Sequence, residues 1–202
     1  MKRLLSIAVL VIALAFGGGT VTAEAQIIKL DEDTVILVSD LAKSDGMAFQ
    51  DIVSDMEAAG EKDIQFLINT DGGHADAMYS IVATIQDMQS RGVSFTTVNI
   101  GYAASAGAYI WIHGDVRQAV TDARFMFHST VIMGYFGIVP FEELPPDWQM
   151  TVFEYNYKLR QLTLDCLRDT ELVNELMGGG YGAENWYVNA FMKNRGLLDK
   201  IL

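Results

Sequence analysis

The chain of 202 residues has little cysteine, proline, histidine or positive charge. A single cysteine, Cys166, cannot close an internal disulfide or build a thiolate-rich zinc site. Three histidines stand apart from one another, and no carboxylates join them at ligand spacing, which points away from a metal centre. Basic residues number 14 against 26 acidic, for a net charge of −12. Phosphate binding needs a clustered basic surface, so this balance argues against nucleic acid as the main partner. No P-loop is present, so the chain does not itself hydrolyse ATP. Charged residues make up only 20% and hydrophobic residues 50%, too apolar for a disordered chain. All three prolines fall within residues 137–146, the one clearly irregular stretch beyond residue 25.

Long apolar runs are also missing, except at the start. Lys2 and Arg3 precede a run from Leu4 to Phe16 that is apolar apart from Ser6, and Gly17-Gly-Gly19 ends it. Ala23 and Ala25 place small residues where a signal peptidase reads. This is the pattern of a secretory signal, residues 1–25, cleaved after Ala25. The run is short for a bilayer core, which takes about 20 residues. An uncleaved N-terminal membrane anchor is the alternative. Residues 26–202 then form the functional domain, exported to the periplasm or the outside of the cell.

That domain reads as strands alternating with helices. Residues 34–38 are β-branched and apolar, and residues 47–59 carry apolar positions at helical spacing up to Gly60. A second strand, 64–68, stops at Asn69-Thr-Asp-Gly-Gly73, and a helix follows over 74–88. A third strand, 93–100, turns at Gly101 into an apolar helix ending at His113. Short strands follow at 116–120 and 125–128. One long helical stretch spans 147–176, then a short helix at 189–195 and a closing strand at 197–202. Strands separated by helices of this length imply crossover units and a mainly parallel sheet, an α/β fold.

The chemistry-bearing residues gather at strand ends. Ser105, in Gly101-Tyr-Ala-Ala-Ser-Ala-Gly107, sits between a strand and a helix among residues small enough for close approach. The helix start behind it offers free N–H groups, which would stabilise an oxyanion. Serine is equally the ordinary capping residue of a helix, so the motif by itself leaves both roles open. The Gly72-Gly73 pair after the second strand can present backbone N–H groups to a cleft, or be a plain turn. His128 leaves an apolar strand and becomes a base candidate only beside a nucleophile and an orienting carboxylate. His74 follows the glycine pair and is a candidate for the cleft. His113 lies at the end of its helix, suited to interact with it. Cys166 reads as a small buried hydrophobe.

Together, Phe66-Leu-Ile-Asn-Thr-Asp-Gly-Gly73, Gly101-Tyr-Ala-Ala-Ser-Ala-Gly-Ala108, Arg124-Phe-Met-Phe-His128 and Gly196-Leu-Leu-Asp199 resemble the ClpP-type serine peptidases, from residue 34 to the C-terminus. The resemblance implies a crotonase-like fold of repeated ββα units with a projecting handle helix, here from residue 147. It also implies hydrolysis of peptides or unfolded proteins without a cofactor or metal, in a homo-oligomeric ring. Ser105 would be the nucleophile and His128 the base. The N–H groups of Gly73 and Ala106 would form the oxyanion hole, and Gly72 and His74 would line the substrate site. Counting back from Gly196, the family's aspartate falls on Glu184, with Asp165 and Asp169 as alternatives. Asp199 reads as structural.

The chain departs from the family pattern in several places. Asp71 precedes the glycine pair where proline is usual. Ser129-Thr130 follows His128 in place of Gln-Pro. Residues 131–146 lack the usual Gly- and Gln-rich strand. An ATP-driven unfoldase partner is implied only if the protein is cytoplasmic. Two other readings stay open: an assembly protein with an impaired triad, and a crotonase-fold acyl-CoA enzyme. A Ser–Lys dyad has no base nearby, since no lysine lies between Lys62 and Lys158. The apolar residues of the long helix, Trp148, Val152, Tyr155, Leu159, Leu162 and Cys166, face either the chain's own core or another subunit.

Overall fold

The computed structural model describes residues 26–202 apart from Phe136; the segment read as an export signal lies outside the described residues. Strand β1 (Gln26–Lys29), absent from the sequence expectation, pairs antiparallel with β2 (Thr34–Val38). Helix α1 (Asp45–Ala58) leads to β3 (Asp63–Thr70), and α2 (Ala75–Ser90) to β4 (Ser94–Ala104). The short α3 (Ala106–Trp111), β5 (Val116–Ala119) and β6 (Arg124–Phe127) follow. Strands β2, β3, β4 and β5 are parallel neighbours. The sheet is therefore mainly parallel, as expected.

Its central strands send buried apolar residues to both faces. Val35, Leu37, Phe66, Ile68 and Phe95 point to one side, into the main core with Phe49, Val53 and Met56 of α1 and Ile81, Ile85 and Met88 of α2. Phe49 stacks on Phe66 with ring centroids 4.7 Å apart. The alternate residues Ile36, Leu67 and Val98 form a smaller cluster on the other face.

The feature that positions the site is a fork in β4. Residues Thr96 to Asn99 pair with β5, whereas Tyr102 to Ala104 pair with β6. The strand therefore continues past the expected end at Ile100, as far as Ala104. Two asparagines make that extension possible by satisfying backbone groups where the pairing changes. Asn99 accepts from the Gly101 N–H at 3.0 Å and donates to the Arg124 carbonyl at 2.8 Å. Asn69 accepts from the Tyr102 N–H at 2.9 Å, beside an irregularity in β3.

Beyond β6, a small hairpin, β7 (Met133–Gly134) and β8 (Gly137–Ile138), leads into the expected irregular stretch, which holds a 3-10 turn at Phe141–Glu143. The long helix expected over 147–176 is two helices, α4 (Pro146–Leu167) and α5 (Thr170–Leu176). Arg168 breaks it by taking a left-handed conformation at φ +54°, and Asp169 caps α5 by accepting the Leu172 N–H at 3.0 Å. Apolar periodicity runs through the break, and so hides it. Strand β9 (Asn185–Val188), also unexpected, lies antiparallel to β6. After α6 (Asn189–Asn194), the closing strand is only β10 (Lys200–Ile201), parallel to β5. Ahead of it, Asp199 accepts the Arg117 N–H at 2.7 Å while donating its own N–H to the Arg117 carbonyl, the structural role expected of it.

Along α4, Val152 and Leu159 are buried, and Tyr155, Leu162 and Cys166 partly so; this stripe faces the chain's own core. Trp148 departs from it and stands half exposed. The Cys166 thiol reaches the Ile112 carbonyl, and burial raises its pKa, which keeps it protonated.

Candidate active site

Ser105 separates β4 from α3 with backbone angles of φ +50° and ψ −123°, sparsely populated for any residue but glycine. Its N–H donates to the Met126 carbonyl at 2.8 Å, tying the turn to β6. The helix begins at the next residue, so the Ala106 N–H belongs to its unpaired first turn. Gly107 lets that turn sit on the end of β3, where a Cβ would lie 2.3 Å from Cγ2 of Thr70.

His128 directly follows β6. Its Nε2 lies 2.7 Å from Ser105 Oγ. The two residues come together because Tyr102 to Ala104 and Arg124 to Met126 are parallel partners, so both strands end at the same level. Tyr109, buried on α3, donates from its hydroxyl to the His128 carbonyl at 2.8 Å and fixes the backbone there. Burial drives the Tyr109 phenol pKa well up, so it remains a neutral donor.

Burial also lowers the pKa of His128 below the ordinary 6.5, against smaller opposing effects of the Ser129 backbone and the charge of Glu184. A neutral imidazole that accepts at Nε2 carries its proton on Nδ1. That Nδ1 is buried and has no hydrogen-bond partner among the described residues. Glu184 lies near enough to act on His128 by charge, but it is exposed and accepts a hydrogen bond from the Trp186 indole at 3.1 Å. Asp169 is occupied by its capping bond, and no hydrogen bond joins Asp165 to the His128 Nδ1.

The glycine turn closes the other side. Thr70, buried, accepts the Gly72 N–H at 2.9 Å. Leu41 N–H donates to the Gly72 carbonyl and His74 N–H to the Leu41 carbonyl, forming a parallel bridge. In such a bridge the middle residue's own groups point away from the partner strand, so the Gly73 N–H faces away from Leu41. Both glycines need their conformation and their lack of a side chain. Gly72 has φ +125°, and a Cβ there would lie 2.6 Å from the Ser105 Cβ. Gly73 has φ +126°, and its Cβ would meet Leu41 backbone at 2.4 Å. His74 caps α2, its Nδ1 accepting the Asp76 N–H at 3.3 Å, and is exposed. His113 is buried against the Tyr109 carbonyl at 2.6 Å, at the end of α3 as expected.

Sequence reading assigns no role to Asn69 and Thr70, although they lie in a quoted motif, and misses Asn99 and Tyr109; all four hold the pieces of the site. Gly72→Ala tests how tightly the turn abuts Ser105. The variant should fold but lose roughly 1–3 kcal/mol of stability to backbone strain, and more to the clash, seen as a lower melting temperature. A melting curve unchanged from wild type would contradict the packing described.

The model of the Clp protease family matches residues 18–135. Proteolytic subunit 1 of the ATP-dependent Clp protease of Tropheryma whipplei strain Twist is 35% identical over 109 residues, 52% of this chain and 51% of that protein. Proteolytic subunit 2 from strain TW08/27 of the same species matches equally. The chain thus spans about half the length of the curated relatives it matches. A ClpP1 point mutant from Listeria monocytogenes shares the fold with a TM-score of 0.68, at 18% identity, over 85% of this chain and 92% of that one. With the family model covering more than half of its length, and with a serine and a histidine joined at two parallel strand ends, the chain belongs to the Clp protease family.

Proposed function

We propose that the protein is a serine peptidase acting through an acyl-enzyme on Ser105. The 2.7 Å contact between Ser105 Oγ and His128 Nε2, on a strained strand-to-helix turn, carries this reading. His128 takes the Ser105 proton as Oγ attacks the peptide carbonyl, then delivers it to the leaving amine. The N–H groups of Gly73 and Ala106 stabilise the oxyanion, and the cleft beside Gly72 and His74 receives the substrate. The buried Nδ1–H needs an acceptor when His128 becomes charged. Glu184 supplies it by exchanging its exposed indole partner for the imidazole.

The substrates are peptides or loosely folded chains, and the working form is a homo-oligomer. Met150, Phe153 and Tyr157 form a second apolar stripe on α4, each more than half exposed, on a face that the described residues leave uncovered. Trp186, Tyr102 and Val188 expose further apolar surface near the fork. The N-terminal segment supports export, where no ATP-driven unfoldase would feed the enzyme.

Ser105→Ala should abolish hydrolysis of an unstructured peptide, leaving about the background rate of a site without its nucleophile. Turnover retained by the folded variant would refute the assignment. The rate should fall as pH drops through the His128 pKa, because the protonated imidazole cannot accept from Ser105. Since burial lowers that pKa, the acid limb should lie below 6.5 and the rate should be flat near neutrality. Removing the negative charge of Glu184, which opposes that shift, should move the limb to lower pH in Glu184→Gln and reduce turnover. A profile and rate identical to wild type would remove Glu184 from the machinery.

A further inference from the structure

Two adjacent residues of α4 reach opposite sides of the site. The Tyr155 hydroxyl donates to the Asp76 carboxylate, in the first turn of α2. That turn begins immediately after Gly73 and His74, and the Asp76 N–H is itself held by His74. The attachment is doubled by Tyr79, one turn further along α2, whose hydroxyl donates to the Tyr155 carbonyl at 2.9 Å. The Tyr79 and Tyr155 rings pack with centroids 5.9 Å apart. Next to Tyr155, the Asn156 side chain accepts the Thr130 N–H and donates to the Thr130 carbonyl at 3.3 Å. One amide thus satisfies both backbone groups of a residue two positions beyond His128, in a stretch with no strand partner of its own. A proline at 130 would have no N–H to give.

We propose that Tyr155 and Asn156 are positioning residues for the peptidase reaction: a two-armed brace from α4 that fixes the glycine turn on one side and the His128 segment on the other. This rests on the serine peptidase reading. The two sides of the site belong to different crossover units, joined across the cleft by the Ser105–His128 contact and the packing of Gly72 on Ser105. Small displacements of either side misalign oxyanion donors and base, and catalysis is steeply sensitive to such errors. The Tyr155 arm is strong for a single contact because its acceptor is ionised. Its hydrogen bond is also the main influence holding the Asp76 carboxyl below its usual range.

The test is steady-state hydrolysis of an unstructured peptide by the full chain. Tyr155→Phe and Asn156→Leu should each lower kcat roughly tenfold with KM changed by less than about twofold, because reacting groups rather than substrate binding are displaced. Lys43→Ala, which removes the exposed ion pair to Asp76 on the solvent side, should leave kcat unchanged. Should Asn156→Leu fail to fold, Asn156→Asp keeps an acceptor for the Thr130 N–H and should give an intermediate loss. Wild-type kcat in folded Tyr155→Phe and Asn156 variants would overturn the brace. An equal loss in Lys43→Ala would do so too, by tracing the effect to the charge balance at Asp76. Failure of the underlying reading looks different: Ser105→Ala would then keep turnover whatever the brace variants do.

Discussion

The local structure depends on the backbone of Ser105, held at a positive φ between a strand that is too long for its neighbour and a helix that starts at once. Such a conformation costs on the order of 1–3 kcal/mol and persists only where surroundings over-determine it. Three contacts do so in this chain. The N–H is tied to β6, a glycine packs where any side chain would collide, and Gly107 seats the helix on Thr70. The same constraints aim Oγ at the imidazole and leave the Ala106 N–H free at the helix start, so the strain and the chemical opportunity have one cause.

The fork in β4 converts a sheet into a site. A strand that paired with β5 along its whole length would end level with β5 and place Ser105 away from His128. By changing partners after Asn99, it shares its last residues with β6 and brings both groups to one edge. The cost of the change is a set of backbone groups without ladder partners, and the side-chain amides of Asn69 and Asn99 meet it. Glu184, the proposed third member of the triad, is the loosest component. Exposed Glu184 bonds to the indole of Trp186, itself exposed, while the imidazole Nδ1 is buried and unpartnered among the described residues. Among the described residues, His128 is therefore positioned more firmly by Tyr109 than by any acid.

How much of this is legible in the sequence follows from the range of the forces involved. The core strands, α1, α2 and the turns at Gly72-Gly73 and Ser105 are readable because apolar runs, period and glycine are local signals. The pairing of Ser105 with His128 can be inferred only by resemblance, since the register that joins them links residues far apart in the chain. The split of the long helix escapes notice because Arg168 has no compositional mark of a left-handed residue, although Asp169 before Thr170 and Glu171 is a capping signal that could reveal it. Strands β1 and β9 are only four residues each; β9 is defined by pairing with the distant β6, and β1 by pairing with the adjacent β2. Tyr155 and Asn156 look like ordinary members of an amphipathic helix, and only the packing of α4 against two other elements gives them a role.

The central claim, that Ser105 is an activated nucleophile, is tested most directly by treating the intact protein with a fluorophosphonate and locating the adduct by peptide mass spectrometry. The account predicts a single adduct on Ser105, lost when His128 is replaced by alanine. A correctly folded protein that takes up no adduct, or carries it on another residue, would contradict it.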